Sequence, residues 1–143
     1  MVLEKAGLKK LAKKIVQRLK GGEVFLLFGD LGSGKTYFTQ QIGYFLKAKR
    51  VKSPSFVILE IHKTCKDFYL AHFDFYRLSK KQVGDFEWSD FLFSPQYVSF
   101  IEWGEKIEPY LKNKKYFKID FKIVSLRKRQ IALSNNLEKW LKK

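Results

Sequence analysis

Residues 29–36 read Gly-Asp-Leu-Gly-Ser-Gly-Lys-Thr, a complete match to the phosphate-binding loop pattern G-x-x-x-x-G-K-[ST]. The glycines of this pattern let the backbone turn with its N–H groups pointing inward, so that it can approach a phosphate closely. The Lys35 ammonium can reach the terminal phosphates of a nucleotide, and the Thr36 hydroxyl can ligate Mg²⁺. The stretch therefore predicts a site for a nucleoside triphosphate with Mg²⁺.

The residues on either side of the loop fit a strand before it and a helix after it. Residues 23–28 form a short apolar run that is typical of a buried strand. Residues 36–47 place Phe38, Ile42 and Phe45 at helical spacing. The N-terminus of that helix would add the positive end of its dipole to the phosphate site. Both flanks and the complete pattern argue against a chance glycine turn.

Length and composition fit one compact domain, because the chain has 143 residues and is 45% hydrophobic. This size leaves no room for a helical lid domain or a second nucleotide-binding half. The lone Cys65 excludes an intrachain disulfide and fits a reducing cytoplasm. Since no apolar stretch resembles a signal peptide or a membrane span, we expect a cytoplasmic protein.

The chain is strongly basic, with a formal net charge of +15 from 29 Lys+Arg against 14 Asp+Glu. Such an excess would attract RNA, DNA or an acidic protein surface. Only five of the basic residues are arginine, and the lysines are spread along the chain rather than confined to one block. A lysine-rich proteome would give the same composition, so both interpretations stay open and charge alone does not assign nucleic acid as a partner.

Four helices are predicted by the apolar spacing and by cap residues. They lie at 3–20 and 36–47, from Ser79 onwards, and at 137–141, where Asn135 or Asn136 could cap the helix. The first of them is amphipathic and basic, a type that can also lie on a membrane. Its apolar face lacks Trp and Phe, which favours packing on a sheet and no membrane contact.

Strands interleave with these helices and are predicted at 23–28, 56–61, 68–73, 97–102, 115–124 and 129–133. The class is therefore α/β. We expect a single phosphate-loop (P-loop) NTPase domain over residues 1–143, with a mixed, mostly parallel sheet flanked by helices and a late antiparallel hairpin.

Two carboxylates stand where a phosphate-loop site needs an acid to help hold Mg²⁺. Asp74 ends the apolar run at 69–74, and Glu102 ends the run at 97–102. An unpaired charge after a buried strand is costly, whereas the mouth of a sheet suits a cation site. For Asp74 an ion pair with Arg77 is the alternative. Both acids are candidates for the metal and catalytic site.

Other chemistries find less support. His62, His72 and Cys65 lack the paired ligand spacing of a zinc site, and we interpret His72 as a hydrogen-bonded residue near the site. The Asn-Lys-x-Asp signature by which GTPases read their base is absent, because residues 113–116 read Asn-Lys-Lys-Tyr. This argues against GTP without proving ATP.

Four segments together resemble the TsaE family, the small ATPases of bacterial tRNA threonylcarbamoyladenosine biosynthesis. Their order and spacing fit over about residues 8–133, and the last two are far more specific than the phosphate loop. The matching segments are residues 29–36, Val51-Lys52-Ser53-Pro54-Ser55-Phe56, His72-Phe73-Asp74-Phe75-Tyr76-Arg77-Leu78 and Ile101-Glu102-Trp103. The amino terminus departs from the family, whose leading strand and adenine-enclosing polar loop are mostly missing or rewritten here.

The resemblance implies ATP and Mg²⁺ as ligands, with Thr36 and Glu102 holding the metal. It places Lys35, Asp74 and Glu102 in the catalytic centre and makes Ser53–Phe56 a switch-like loop that responds to the terminal phosphate. The nucleotide contacts that it implies are Leu31, Gly32, Ser33, Gly34, Lys35, Thr36, Trp103 and Arg129.

The resemblance also implies partners, namely the TsaB and TsaD proteins, the latter performing the transfer to tRNA. Contact with tRNA would then be indirect, through that complex. A small P-loop kinase and a nucleotide-binding RNA-associated module are the alternatives. A kinase needs an acceptor pocket and usually a mobile, arginine-bearing lid, for which five arginines and no long insertion offer little material.

Overall fold

An eight-stranded sheet organises this computed structural model, which describes residues 1–52 and 58–143. The strands are β1 (Val2–Leu3), β2 (Val24–Phe28), β3 (Lys49–Lys52), β4 (Leu59–Lys63), β5 (Tyr69–Asp74), β6 (Tyr97–Glu102), β7 (Phe117–Ile123) and β8 (Arg129–Leu133). The helices are α1 (Lys5–Val16), α2 (Lys35–Phe45), α3 (Lys80–Asp85) and α4 (Asn135–Lys142), with short 3-10 turns at Gly104–Lys106 and Glu108–Tyr110.

The strand order is β1-β8-β7-β2-β6-β5-β4-β3. The four central strands are parallel to one another, and the outer pairings are antiparallel. Within the described residues, six of the eight strands consequently run in the same direction. This confirms the predicted single α/β domain with a mixed, mostly parallel sheet and a late hairpin, here β7–β8. The carboxyl ends of β2, β5 and β6 meet at one edge, where such folds bind ligands.

Both faces of the sheet are covered by apolar residues. Helices α1, α2 and α4 pack on one face, where the buried rings of Phe25 and Phe100 stack with centroids 4.5 Å apart. Phe73 and Phe75 anchor a second cluster on the other face, beside Val83 of α3. Burying a side chain of this size stabilises the fold by about 2–3 kcal/mol, so the strands that carry the site are held in place by packing on both faces of the sheet.

The ends of the chain differ from the prediction in two places. The first helix was predicted at 3–20 but spans Lys5–Val16, and Leu3 belongs to the short strand Val2–Leu3, because Val2 and Leu3 pair with Gln130 and Arg129 of β8. The predicted Asn cap of the last helix is wrong: Ser134 occupies the cap position, and its hydroxyl donates to Asn136 Oδ1 at 2.6 Å.

Other local predictions hold. Ser79 begins α3 with a capping box, accepting from Gln82 N at 3.2 Å while its own N–H donates to Gln82 Oε1 at 2.9 Å. Of the predicted strand at 56–61, residues 56 and 57 lie outside the described residues, and β4 begins at Leu59. Among the helices of the described ranges, none combines the length and the apolar character that a bilayer span requires.

Candidate nucleotide-binding site

The phosphate loop joins the end of β2 to the start of α2, as its sequence predicts. Gly29, Gly32 and Gly34 all adopt positive φ angles, of 147°, 79° and 110°. A Cβ on Gly29 would lie 2.5 Å from Phe121 O and 2.6 Å from Ser33 Oγ, so the position has no room for a side chain. Gly34 is also the residue that caps α2. The glycines are therefore required by the backbone path that brings the loop to the helix N-terminus.

Lys35 is folded back over this loop and is only 4% exposed. Its ammonium donates to the carbonyl oxygens of Gly29 and Asp30 and lies 4.0 Å from the centroid of the Trp103 ring. Burial lowers the pKa of Lys35, and the charges of Glu105, Glu102 and other nearby acids oppose that effect. These carbonyl bonds are ones that a phosphate group could replace.

Thr36, Glu102 and His72 form one hydrogen-bonded chain beside the loop. Thr36 Oγ1 donates to Glu102 Oε1 at 2.6 Å, and His72 Nε2 lies 2.5 Å from Glu102 Oε2. Glu102 is 3% exposed. Burial by itself would raise the pKa of Glu102, but the hydrogen bond and charge of His72, the Thr36 bond and the Lys35 charge outweigh it and lower the pKa. Glu102 is therefore held as a carboxylate.

The oxygen atoms of Thr36 and Glu102 are ligands of the kind that Mg²⁺ prefers. A hydroxyl and a carboxylate oxygen meet at one point, and Mg²⁺ is commonly held by one or two protein oxygens together with substrate phosphates and water. In the ranges 1–52 and 58–143 no group of three or more His, Cys, Asp or Glu could hold a metal by itself. Thr36 and Glu102 would therefore hold the ion only together with nucleotide oxygens.

Asp74 lies opposite Glu102 in the register of β5 and β6. Its Oδ1 accepts the Tyr76 N–H at 3.0 Å, which shapes the turn after β5. Within the described residues its carboxylate makes no ion pair with Arg77, so the alternative considered from the sequence is not observed there. The half-buried carboxylate lines the same cleft as Lys35 and Glu102.

A cleft of about 750 Å³ opens beside the loop, within the usual size range of ligand sites. All ten residues that were predicted for the site line it, so the structure brings together every one of them. They are Leu31, Gly32, Ser33, Gly34, Lys35, Thr36, Asp74, Glu102, Trp103 and Arg129.

Arg129 reaches the loop from β8 rather than pointing into open space. Its guanidinium donates to Ser33 O at 3.1 Å and to Gly32 O at 3.2 Å, and also to the carbonyl oxygens of Ser125 and Lys128. The resemblance places an arginine near the nucleotide. The structure shows in addition that this arginine holds the backbone of the phosphate loop.

Sequence reasoning missed several residues of the cleft. The amino-terminal segment contributes Glu4, Lys5 and Ala6, and the β7–β8 loop contributes Leu126 and Arg127. No local signal marks them, because they reach the loop only through the pairing of β1 with β8 and of β8 with β7.

Two of the motif segments contain further residues of interest, Tyr76 and the predicted switch-like loop. Tyr76, which belongs to one of the motif segments, lies against the Trp103 ring with centroids 5.2 Å apart. The predicted switch-like loop Ser53–Phe56 lies outside the described residues.

The fold and the glycine loop together define an α/β protein of the phosphate-loop class. The family model described as "Threonylcarbamoyl adenosine biosynthesis protein TsaE" matches residues 2–131. The chain belongs to this TsaE family.

Individual relatives agree with this assignment. The tRNA threonylcarbamoyladenosine biosynthesis protein TsaE of Aquifex aeolicus is 40% identical over 103 residues, which cover 70% of this chain and 71% of the relative. The protein of the same name from Rickettsia prowazekii is 34% identical over 128 residues, covering 87% and 86%. The crystal structure of Bacillus subtilus YdiB superimposes with a TM-score of 0.74 at 26% identity and covers 99% of this chain and 91% of that one.

Proposed function

We propose that this protein is a Mg²⁺-dependent ATPase that supports the threonylcarbamoyladenosine modification of tRNA by acting on a complex of TsaB and TsaD. The observation that carries the proposal is the 2.6 Å contact between Thr36 Oγ1 and Glu102 Oε1 beside a complete phosphate loop. Membership of the TsaE family supports the pathway. The two partners and a cytoplasmic location are parts of the proposal.

The phosphate loop and Lys35 would bind the phosphates of the nucleotide. The loop backbone and the N-terminus of α2 would face the phosphates, where backbone N–H groups and the helix dipole favour negative charge. The Lys35 ammonium would exchange its carbonyl partners for phosphate oxygens. Thr36 and Glu102 would hold Mg²⁺, which would supply positive charge against the phosphates.

Hydrolysis needs a group that orients water, and Asp74 is the candidate. Its carboxylate lines the cleft next to Glu102 and can accept a hydrogen bond from a water molecule. The turn after β5 holds this carboxylate in place through the Tyr76 N–H. Asp74 thus orients the nucleophile, while Lys35 stabilises charge on the phosphate side.

Turnover by the isolated chain should be slow. Phosphoryl transfer is commonly completed by an arginine that a partner protein supplies. We expect ATP hydrolysis to rise when TsaB and TsaD are added. Partner binding should be tighter with an ATP analogue than with ADP if Ser53–Phe56 is the switch.

The test combines hydrolysis with reconstitution of the tRNA modification. ATP turnover is measured with and without TsaB–TsaD for the wild-type protein, for Lys35→Ala and for Lys81→Ala, an exposed lysine of α3 that serves as the matched control. We expect partner-stimulated turnover that only Lys35→Ala abolishes, and no sustained tRNA modification without this chain. Equal modification with and without the chain would refute the proposal, and phosphorylation of a small acceptor would favour a kinase.

A further inference from the structure

The positive charge of the chain is concentrated at its two ends. Residues 1–20 contain seven Lys+Arg and one acid, and residues 112–143 contain eleven and two. Residues 21–111 contain eleven of each, so this long middle part is neutral and the ends carry the whole net charge of +15. Although individual lysines occur throughout the chain, the net positive charge is confined to its two ends. A uniform lysine bias would have charged the middle part as well.

The fold brings the two ends together. Strand β1 pairs with β8, and α1 and α4 lie on the same face of the sheet in one apolar cluster. The Arg18 guanidinium also donates to the backbone carbonyl of Lys143. We define the basic face as the exposed basic residues of α1, of α4 and of the loop that leads into β8: Lys5, Lys9, Lys10, Lys13, Lys14, Arg127, Lys128, Lys139 and Lys142.

Little negative charge compensates this basic face. Helix α1 contains no acidic residue between Lys5 and Val16. None of the nine residues takes part in an ion pair within the described part of the chain. The face therefore projects a strong positive potential, which concentrates a polyanion near it.

Aromatic rings lie among these lysines. The Lys5 ammonium is 5.4 Å from the centroid of the Tyr37 ring, and the Lys9 ammonium is 5.2 Å from that of Tyr44. Tyr44 is 67% exposed. Exposed rings beside cationic groups are the arrangement with which proteins stack bases while holding the backbone.

We infer that the basic face binds RNA directly, through its phosphate backbone. Lysine is a point charge that contacts phosphates without the planar fork by which arginine reads guanine, so the contact should depend little on sequence. An acidic protein is a weaker candidate, because lysine is depleted in protein–protein interfaces. The choice of tRNA as the RNA rests on the proposed function.

The experiment measures binding of an unmodified tRNA to the full-length protein at several salt concentrations. The double variant Lys9→Gln/Lys10→Gln is compared with Lys80→Gln/Lys81→Gln, which removes the same charge from exposed positions of α3 in the neutral part. Glutamine keeps a helix propensity close to that of lysine. We expect the α1 variant to weaken tRNA binding about tenfold at 0.1 M salt and to flatten the salt dependence, and the α3 variant to bind like wild type.

Three results would overturn the inference. The first is equal weakening of tRNA binding by both double variants, and the second is the lack of salt-sensitive tRNA binding by the wild-type protein. The third is competition by poly-glutamate as effective, charge for charge, as competition by tRNA, which would assign the face to an acidic protein. Nucleotide affinity is measured on the same samples. Its absence in the wild-type protein would refute the ATPase proposal while leaving the RNA result standing.

Discussion

His72 Nε2 and Glu102 Oε2 lie 2.5 Å apart, across the neighbouring strands β5 and β6. Thr36 Oγ1 donates to the other oxygen of the same carboxylate at 2.6 Å. Both oxygens of the candidate metal ligand are thus oriented before any ion arrives. His72 would not itself bind the metal. Its contact with Glu102 fixes the orientation of that carboxylate, and such supporting contacts affect how tightly a ligand binds the metal.

Replacing His72 by Ala should weaken Mg²⁺ binding in the nucleotide complex by about tenfold, the usual lower range for such supporting residues. The buried Glu102 would keep the Thr36 hydrogen bond but lose its second partner, so that its Oε2 would no longer be held in one orientation. Mn²⁺ titration followed by electron paramagnetic resonance, with ADP present, measures this directly. His72→Gln should restore part of the affinity, because its amide can donate a hydrogen bond.

His62→Ala is the matched control for this experiment. His62 is also half-buried, lies on the adjacent strand β4 and is next to Glu60 rather than Glu102. An equal loss of Mn²⁺ affinity in His62→Ala would mean that the effect is general destabilisation and not orientation of Glu102.

Trp103 should report nucleotide binding through its fluorescence. The Lys35 ammonium lies 4.0 Å from its ring centroid in this structure, and binding to phosphate would draw that cation away. We expect addition of Mg²⁺ and ATP analogue to change the emission of the wild-type protein. Trp140→Phe should keep the change, since Trp140 is partly buried and packs against the core beside Phe117, whereas Trp103→Phe should abolish it. A change that survives Trp103→Phe would contradict this assignment.

Arg129→Ala should weaken nucleotide affinity about tenfold and lower the free energy of unfolding by about 1–2 kcal/mol. The reason is loss of the bonds that tie β8 to the carbonyl oxygens of Gly32 and Ser33. Arg129→Lys should recover little, because a single ammonium cannot span both carbonyls. Calorimetric titration and chemical denaturation measure the two effects.

Arg127→Ala separates this structural effect from a simple loss of charge. Arg127 lines the same cleft but is exposed. If Arg127→Ala lowers the nucleotide affinity as much as Arg129→Ala does, without changing the free energy of unfolding, the role of Arg129 is electrostatic and not structural.

Glu105→Gln should stabilise the protein at pH 7. Burial raises the pKa of the Glu105 carboxyl, a backbone hydrogen bond and the Lys35 charge offset this only in part, and its Oε1 is without a hydrogen-bond partner among the described residues. A carboxyl whose pKa is higher folded than unfolded contributes stability at low pH that is lost as pH rises through the folded-state pKa.

The Tm of Glu105→Gln should therefore exceed that of wild type at pH 7, with the gap closing as pH falls below the ordinary value of 4.5. Glu108→Gln is the control, because Glu108 accepts bonds from Tyr116 and Lys118 and its loss should not stabilise. A lower Tm for Glu105→Gln at pH 7 would show that the Lys35 attraction outweighs burial.

The strand, loop and helix around residues 24–45 could be predicted because their signals are local: an apolar run, required glycines and helical spacing. Asp74 and Glu102 could be predicted for the same reason, since each ends its own strand. The N-cap residue of the last helix was not predicted correctly. Ser134 takes the cap position instead of the predicted asparagines, and its hydroxyl makes no capping hydrogen bond but accepts the Lys118 N–H at 3.0 Å, a contact with β7 that no local pattern contains.

The sequence alone determined the candidate functional residues, because the phosphate loop, the two acids at strand ends and the family-specific motif each lie within a short segment. The tertiary structure decided which of these groups meet. His72 lies behind Glu102 because β5 neighbours β6, and Arg129 reaches Ser33 because β8 follows β7 beside β2. The same strand order places the two basic ends of the chain next to each other. Such contacts depend on strand order, a property of the whole chain that no local pattern contains.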